Sequence, residues 1–213
     1  THSTPAPLSP QAVAQAFLNG SAPEYMAVPG LTKALVRKSA LGLRHFVTTV
    51  PERLQKRFVI HVPRNPKFDE PDDGLLIRDN PARETDKKVM FQVRADLPML
   101  LAKAGVSLVE PWKSWIGDCD YIRQLCLASA FDLAHALDVE CPELRSVERM
   151  REAESVNPSV YRVGVYELGN TGFAKEHVDR NFASLHVGSS HKGLYFKTRD
   201  GIISGEEPED GES

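Results

Sequence analysis

Apolar and polar positions along the chain follow two different periods, and these divide it into helical and extended stretches. After Asp118, the residues Ile122, Leu125, Cys126, Ser129, Ala130, Leu133 and Leu137 recur at spacings of three and four. This is the period of one helix face, so residues 118–138 are predicted to form a long helix capped by Asp118, with Ile122, Leu125, Leu133 and Leu137 packed on a sheet. His135 lies off that stripe and is expected to face solvent. Trp112 and Trp115 precede the helix in what reads as a linker ending at Gly117. Pro142 opens a shorter helix reaching Arg151. Near the start, Ser9-Pro10 supplies an N-cap and a first-turn proline, and Val13, Phe17 and Leu18 make a short apolar face. Residues 31–46 read as a second helix with Leu31, Leu35, Leu41 and Leu43 turned inward. Residues 97–104 read as a third helix, closed by Gly105.

The other period is two. Residues 57–62 (RFVIHV) alternate and are rich in β-branched side chains, which predicts a strand. Residues 74–78 and 87–94 read as further strands, separated by loops over 64–73 and 80–85 that are rich in Pro, Asp and Asn. A β-rich run follows with Val160, Arg162, Val163 and Val165. Residues 182–187 and 192–197 read as two more strands, with a turn at 188–190. His61 on the first strand is more naturally a packed or hydrogen-bonded histidine than a metal ligand.

Composition narrows the function classes. The 213 residues are 41% hydrophobic and 26% charged, which suits a folded domain with a proper core. A net charge of −3 gives no bulk attraction for nucleic acid or an acidic membrane surface, so neither is expected as a partner. No apolar run is long enough to span a bilayer. The basic residues Lys33, Arg37, Lys38 and Arg44 read as the solvated face of their helix. Cys119, Cys126 and Cys141 are too few and too unevenly spaced for a disulfide framework. On one helix, Cys119 and Cys126 would stand roughly 10 Å apart, beyond the reach of a disulfide. Free thiols and a cytoplasmic setting are therefore expected. The Walker A, dinucleotide-binding, Cys-x-x-Cys and nucleophile-elbow motifs are all missing.

The stretch with chemical content runs from Tyr161 to Gly201 and contains the tripeptide His177-Val178-Asp179. On a strand, His177 and Asp179 emerge on the same side. An imidazole and a carboxylate so placed supply two of the three protein ligands of a non-haem Fe(II) facial triad, which leaves positions open for a cosubstrate and O₂. A bare His-x-Asp is also frequent by chance; its surroundings give it weight. The order of strand, His-x-Asp, strand, turn and a Gly-Leu-aromatic strand at Gly193-Leu194-Tyr195, ending at Thr198-Arg199-Asp200-Gly201, resembles the isopenicillin N synthase-like superfamily of 2-oxoglutarate/Fe(II)-dependent oxygenases.

That resemblance implies an α+β fold with a double-stranded β-helix (jelly roll) core, N-terminal helices and a long backing helix. It implies His177 and Asp179 as metal ligands, Fe(II) as cofactor, 2-oxoglutarate as cosubstrate, and a small organic molecule as substrate. A segment with the pattern Asp72-Asp73-Gly74-Leu75, loop, Asp86-Lys87-Lys88 is similar to one that lines the substrate side of the pocket in some members. By that analogy Arg78, Lys87 and Arg94 are candidates to meet a carboxylated substrate, against their reading as surface charges. The superfamily also places a distal histidine and an Arg-x-Ser beyond the Gly-Leu strand. Residues 202–213 hold neither histidine nor arginine. Two expectations follow: a fragment of a longer oxygenase, or a non-catalytic jelly-roll-like protein with an incomplete metal centre. Of the histidines after Asp179, His186 has the wrong strand parity for a third ligand, and His191 falls in a turn. The domain expectation is a helical extension over 1–56, an oxygenase-like domain over 57–203 with a helical insert at 96–155, and an acidic tail over 204–213.

Overall fold

A computed structural model of the protein describes residues 7–20, 26–61, 73–78, 88–156, 158–166, 184–188, 195–198 and 201–204. Four strands make one open antiparallel sheet in the order β1 (Val59–Ile60), β2 (Asp73–Arg78), β3 (Lys88–Val93), β4 (Tyr161–Tyr166). Alternation explains the pairing. Leu75, Phe91 and Val163 are direct cross-strand partners, and all three are buried, so the register that aligns them puts one apolar face on the core. A slip of one residue would turn that face to water. Gly74 is required where β2 meets β1: its φ is +73°, and a Cβ there would lie 1.9 Å from the Phe58 carbonyl oxygen. The chain is therefore α+β, with mixed helix and antiparallel sheet.

The chain forms two compact units, one of residues 32–124 with 154–181 and the other of 1–31, 125–153 and 182–213. In the first, helix α2 (Lys33–Thr49) lies on β4. It starts where Thr32 accepts the Leu35 amide, an N-cap on the first turn. The core is aromatic. Phe46 stands edge-on to Phe58, Phe91 and Trp112, and Trp115 lies 4.7 Å from Phe91 between ring centres. Each such pair adds about 0.5–1.5 kcal/mol beyond the area it buries. Helices α3 (Glu52–Gln55) and α4 (Leu97–Lys103) and a 3₁₀ turn at Lys56–Phe58 complete this unit, together with the first part of α5 (Trp112–Glu140).

The second unit contains α1 (Pro10–Leu18), the rest of α5, α6 (Ser146–Val156) and a hairpin of β5 (Tyr195–Thr198) with β6 (Gly201–Ser204). Here α5 buries two faces. Ala136 and Leu137 pack with Ala14 of α1, joined by Leu133 and Leu144. Ala130 and Ala134 pack with Met150 of α6, joined by Leu127, Phe131, Val147 and Leu185. Alanine at these contacts lets the helices approach closely, which a single leucine stripe would not. Asp138 accepts the backbone amides of Ser146 and Val147, so a side chain of α5 caps the start of α6.

Several expectations are corrected. Helix α5 begins at Trp112, not Asp118, and both tryptophans belong to its first turn. Glu110 explains the earlier start: its carboxylate accepts both the Ser114 amide and hydroxyl, fixing the first turn. Trp115 makes the contact with the sheet, whereas Leu133 and Leu137 pack with α1. The strand expected over 57–62 is cut to two residues by the preceding 3₁₀ turn. Leu41, Phe17 and Leu18 are exposed; Leu43 is buried as expected, and Ala14 takes the inward position on α1. Residues 184–187 of the strand expected over 182–187 carry no regular structure. The Ser9 cap, the Gly105 stop at φ +72° and exposed His135 are as expected.

Candidate functional site

The strand that leads toward the His-x-Asp pair is β4, and it is anchored at both its start and its side. Ahead of it, the buried Arg123 of α5 donates through Nε to Asp120 at 2.8 Å and through Nη1 to the Ser159 hydroxyl at 3.1 Å. Glu154 lies 3.8 Å from the same guanidinium and accepts the Ser159 amide at 2.7 Å. Tyr161, the first residue of β4, is buried against Ser39 of α2, with the two hydroxyl oxygens 2.7 Å apart. Because Ser39 donates to the Val36 carbonyl, Tyr161 is the donor in that pair. These bonds fix the position and register of β4.

His177 and Asp179 lie outside the described residues, as do Lys87 and His191. Arg78 is the last residue of β2, and its Cα partner is Lys88 at the start of β3. Arg94 is buried. Its Nε stands 2.9 Å from the Asp73 carboxylate, and its Nη1 donates to the Pro158 carbonyl at 2.8 Å, so it ties the start of β2 to the segment that leads into β4. His186 is exposed, and His61 is exposed at the end of β1. Among the described residues, no three His, Cys, Asp or Glu side chains gather at one point. No helix among them is long and apolar enough to cross a membrane.

All three cysteines are free. Burial, reinforced by the Asp118 and Asp120 carboxylates, pushes the Cys119 thiol up to about 12, so it stays protonated at neutral pH. Cys126 is raised by burial, and Cys141 chiefly by its bond to Glu143. A recess beside α4, lined by Pro98, Ala102, Gly105, Val106, Ser107 and Leu108, offers no charged side chain.

A feature that sequence reasoning missed is the second face of the sheet. Arg162 of β4 stands opposite Gln92 of β3, and its Nε and Nη2 donate to the Gln92 amide oxygen at 3.2 and 2.8 Å. Within β4, Tyr161 and Val163 are buried while Arg162 and Gly164 are exposed. The signal was present in the alternation Tyr-Arg-Val-Gly-Val, which assigns Arg162 to the face opposite Tyr161 and Val163. No family model, curated protein or solved structure matches this chain.

Proposed function

We propose that the complete protein is a cytoplasmic non-haem Fe(II) oxygenase, using 2-oxoglutarate to oxidise a small organic substrate, with His177 and Asp179 as two of its three metal ligands. The observation that carries this reading is the order of the run from Tyr161 to Gly201: a strand, a His-x-Asp pair, and a paired strand that follows Gly193-Leu194. Strands β4 and β5 stand at the two ends of that run, and β4 belongs to an antiparallel sheet, the sheet type from which a double-stranded β-helix is assembled. The donor set is chemically apt. An imidazole suits a borderline divalent metal, and a carboxylate lowers the net charge of the centre. Bound iron would supply O₂ activation; the chain's own share is to hold the two ligands, place the substrate and keep the site dry.

Anaerobic Fe(II) titration of the full-length protein, followed by O₂ consumption with and without 2-oxoglutarate, tests this. Wild type should bind iron at least ten times more tightly than His177→Ala, and only wild type should consume O₂. If the two bind iron equally, the oxygenase reading fails and a non-catalytic jelly-roll-like protein takes its place.

A further inference from the structure

Helix α2 carries four cations, Lys33, Arg37, Lys38 and Arg44, and no acid. Its core side presents Ser39, Leu43 and Phe46, all buried. The opposite side presents Arg37, Leu41 and Arg44, all exposed and spaced i, i+4 and i+7, the period of one helix face. The segment 33–57 as a whole holds seven Lys or Arg and one acid, Glu52. Since the net charge of the chain is −3, the remainder is net acidic.

Folding alone does not account for this stripe. The helix dipole favours acids in the first turn and bases in the last, and α2 has neither. Lys33 stands in the first turn instead, and with Arg37 it makes a like-charge pair one turn apart, which weakens a helix. Lys38 is satisfied within the fold by Asp118 of α5 at 2.7 Å. Arg37 and Arg44 differ: among the described residues, neither guanidinium makes a hydrogen bond or an ion pair. Between them Leu41 leaves 53% of its surface in water, although the same helix buries Leu43 fully.

We propose that this face docks an acidic helical segment of a partner protein, with one carboxylate on Arg37, a second on Arg44 and an apolar side chain over Leu41. Seven residues separate the arginines, about 10 Å along the axis, so each takes its own carboxylate. Acids seven residues apart on a second helix repeat that spacing, and a guanidinium grips a carboxylate through two parallel N–H groups. A protein segment fits better than other anions. A sugar-phosphate backbone offers Leu41 no apolar partner, and a bilayer would need the apolar side of α2, which is buried in the core. Both of those extended anions would also meet the net negative charge of the rest of the chain. The proposal does not depend on the iron reading.

Fluorescence anisotropy on the full chain at low salt tests it. The probe is a labelled helical peptide of Glu, Leu and Ala, with glutamates seven residues apart and leucine between them. It should bind saturably, weaken as salt is raised, and fail to bind when Gln replaces Glu. Arg37→Gln with Arg44→Gln should weaken binding roughly tenfold, the combined worth of two exposed ion pairs. Leu41→Ser should weaken it several-fold at any salt concentration, because that contact acts through apolar area. Arg149→Gln, which removes an exposed cation of α6, should leave binding unchanged. Without peptide, Arg37→Gln should melt no lower than wild type, which separates lost docking from lost folding. The proposal is overturned if the peptide does not saturate, if its Gln version binds equally well, or if Arg149→Gln weakens binding as much as the double arginine variant. It also falls if oligothymidylate or phosphatidylserine vesicles bind more tightly than the peptide, the mark of a nucleic-acid or membrane surface.

Discussion

The Trp115 indole fills the space that a side chain at Gly42 would need: a Cβ at position 42 would stand 2.1 Å from Trp115 Cδ1 and 2.3 Å from Nε1. This close approach of α2 and α5 lets the indole N–H donate to the Ser39 carbonyl at 2.9 Å. Ser39 in turn meets Tyr161 at the start of β4. One missing side chain on α2 thus joins two helices to the strand that leads toward the proposed metal ligands.

Gly42→Ala is therefore expected to destabilise the protein by about 1–3 kcal/mol, the range for overfilling a packed core. The direction is unusual, since replacing glycine by alanine inside a helix ordinarily stabilises by roughly 0.5–1 kcal/mol. Gly117 in α5 has nothing within 4 Å of a Cβ, so Gly117→Ala should show the ordinary gain. Urea denaturation of both variants decides the point. Equal gains would mean that the Trp115 ring steps aside at no cost.

The same region shows why only part of the fold could be read from sequence. The leucine and alanine spacing after Asp118 announces a helix, because the 3.6 period is strong there. The turn before it, with its two tryptophans and Gly117, carries no such spacing and reads as a linker. Its cause is the carboxylate of Glu110 reaching Ser114, a bond between side chain and backbone that leaves no trace in hydrophobic periodicity. In the second half of α5, small residues at Ala130, Ala134 and Ala136 bury two faces at once, and a one-stripe reading cannot show that. The candidate site divides in the same way. His177 and Asp179 are legible as a motif, whereas the pairing of Arg162 with Gln92 needs the register of two strands that are far apart in sequence.

Acid should loosen the junction between α5 and α6. The backbone amides of Val147 and Ser146 hold the Asp138 carboxyl below its usual range, with His135 adding to the effect. A group whose pKa is depressed by folding contributes stability above its unfolded value, near 3.9, and that contribution is lost as pH falls through the folded value. Asp138→Asn should therefore be less stable than wild type at pH 7, and the difference should shrink steadily below about pH 4. Thermal unfolding across that range checks it. A difference independent of pH would mean that the charge of Asp138 does not matter to the cap.

The role of Arg94 separates support of the sheet from substrate contact. It is buried beside the fully buried Asp73, and it also donates to the Pro158 carbonyl. Removing one member of such a pair strands the other's charge in the interior, so Arg94→Met should cost about 3–5 kcal/mol. Removing both charges restores much of that loss when the replacements fill the same volume, so Asp73→Asn with Arg94→Met should be clearly more stable than Arg94→Met alone. Chemical denaturation of the two singles and the double measures the coupling. Should the double variant prove no more stable than Arg94→Met alone, the two charges would not be coupled and the structural role of the pair would fall.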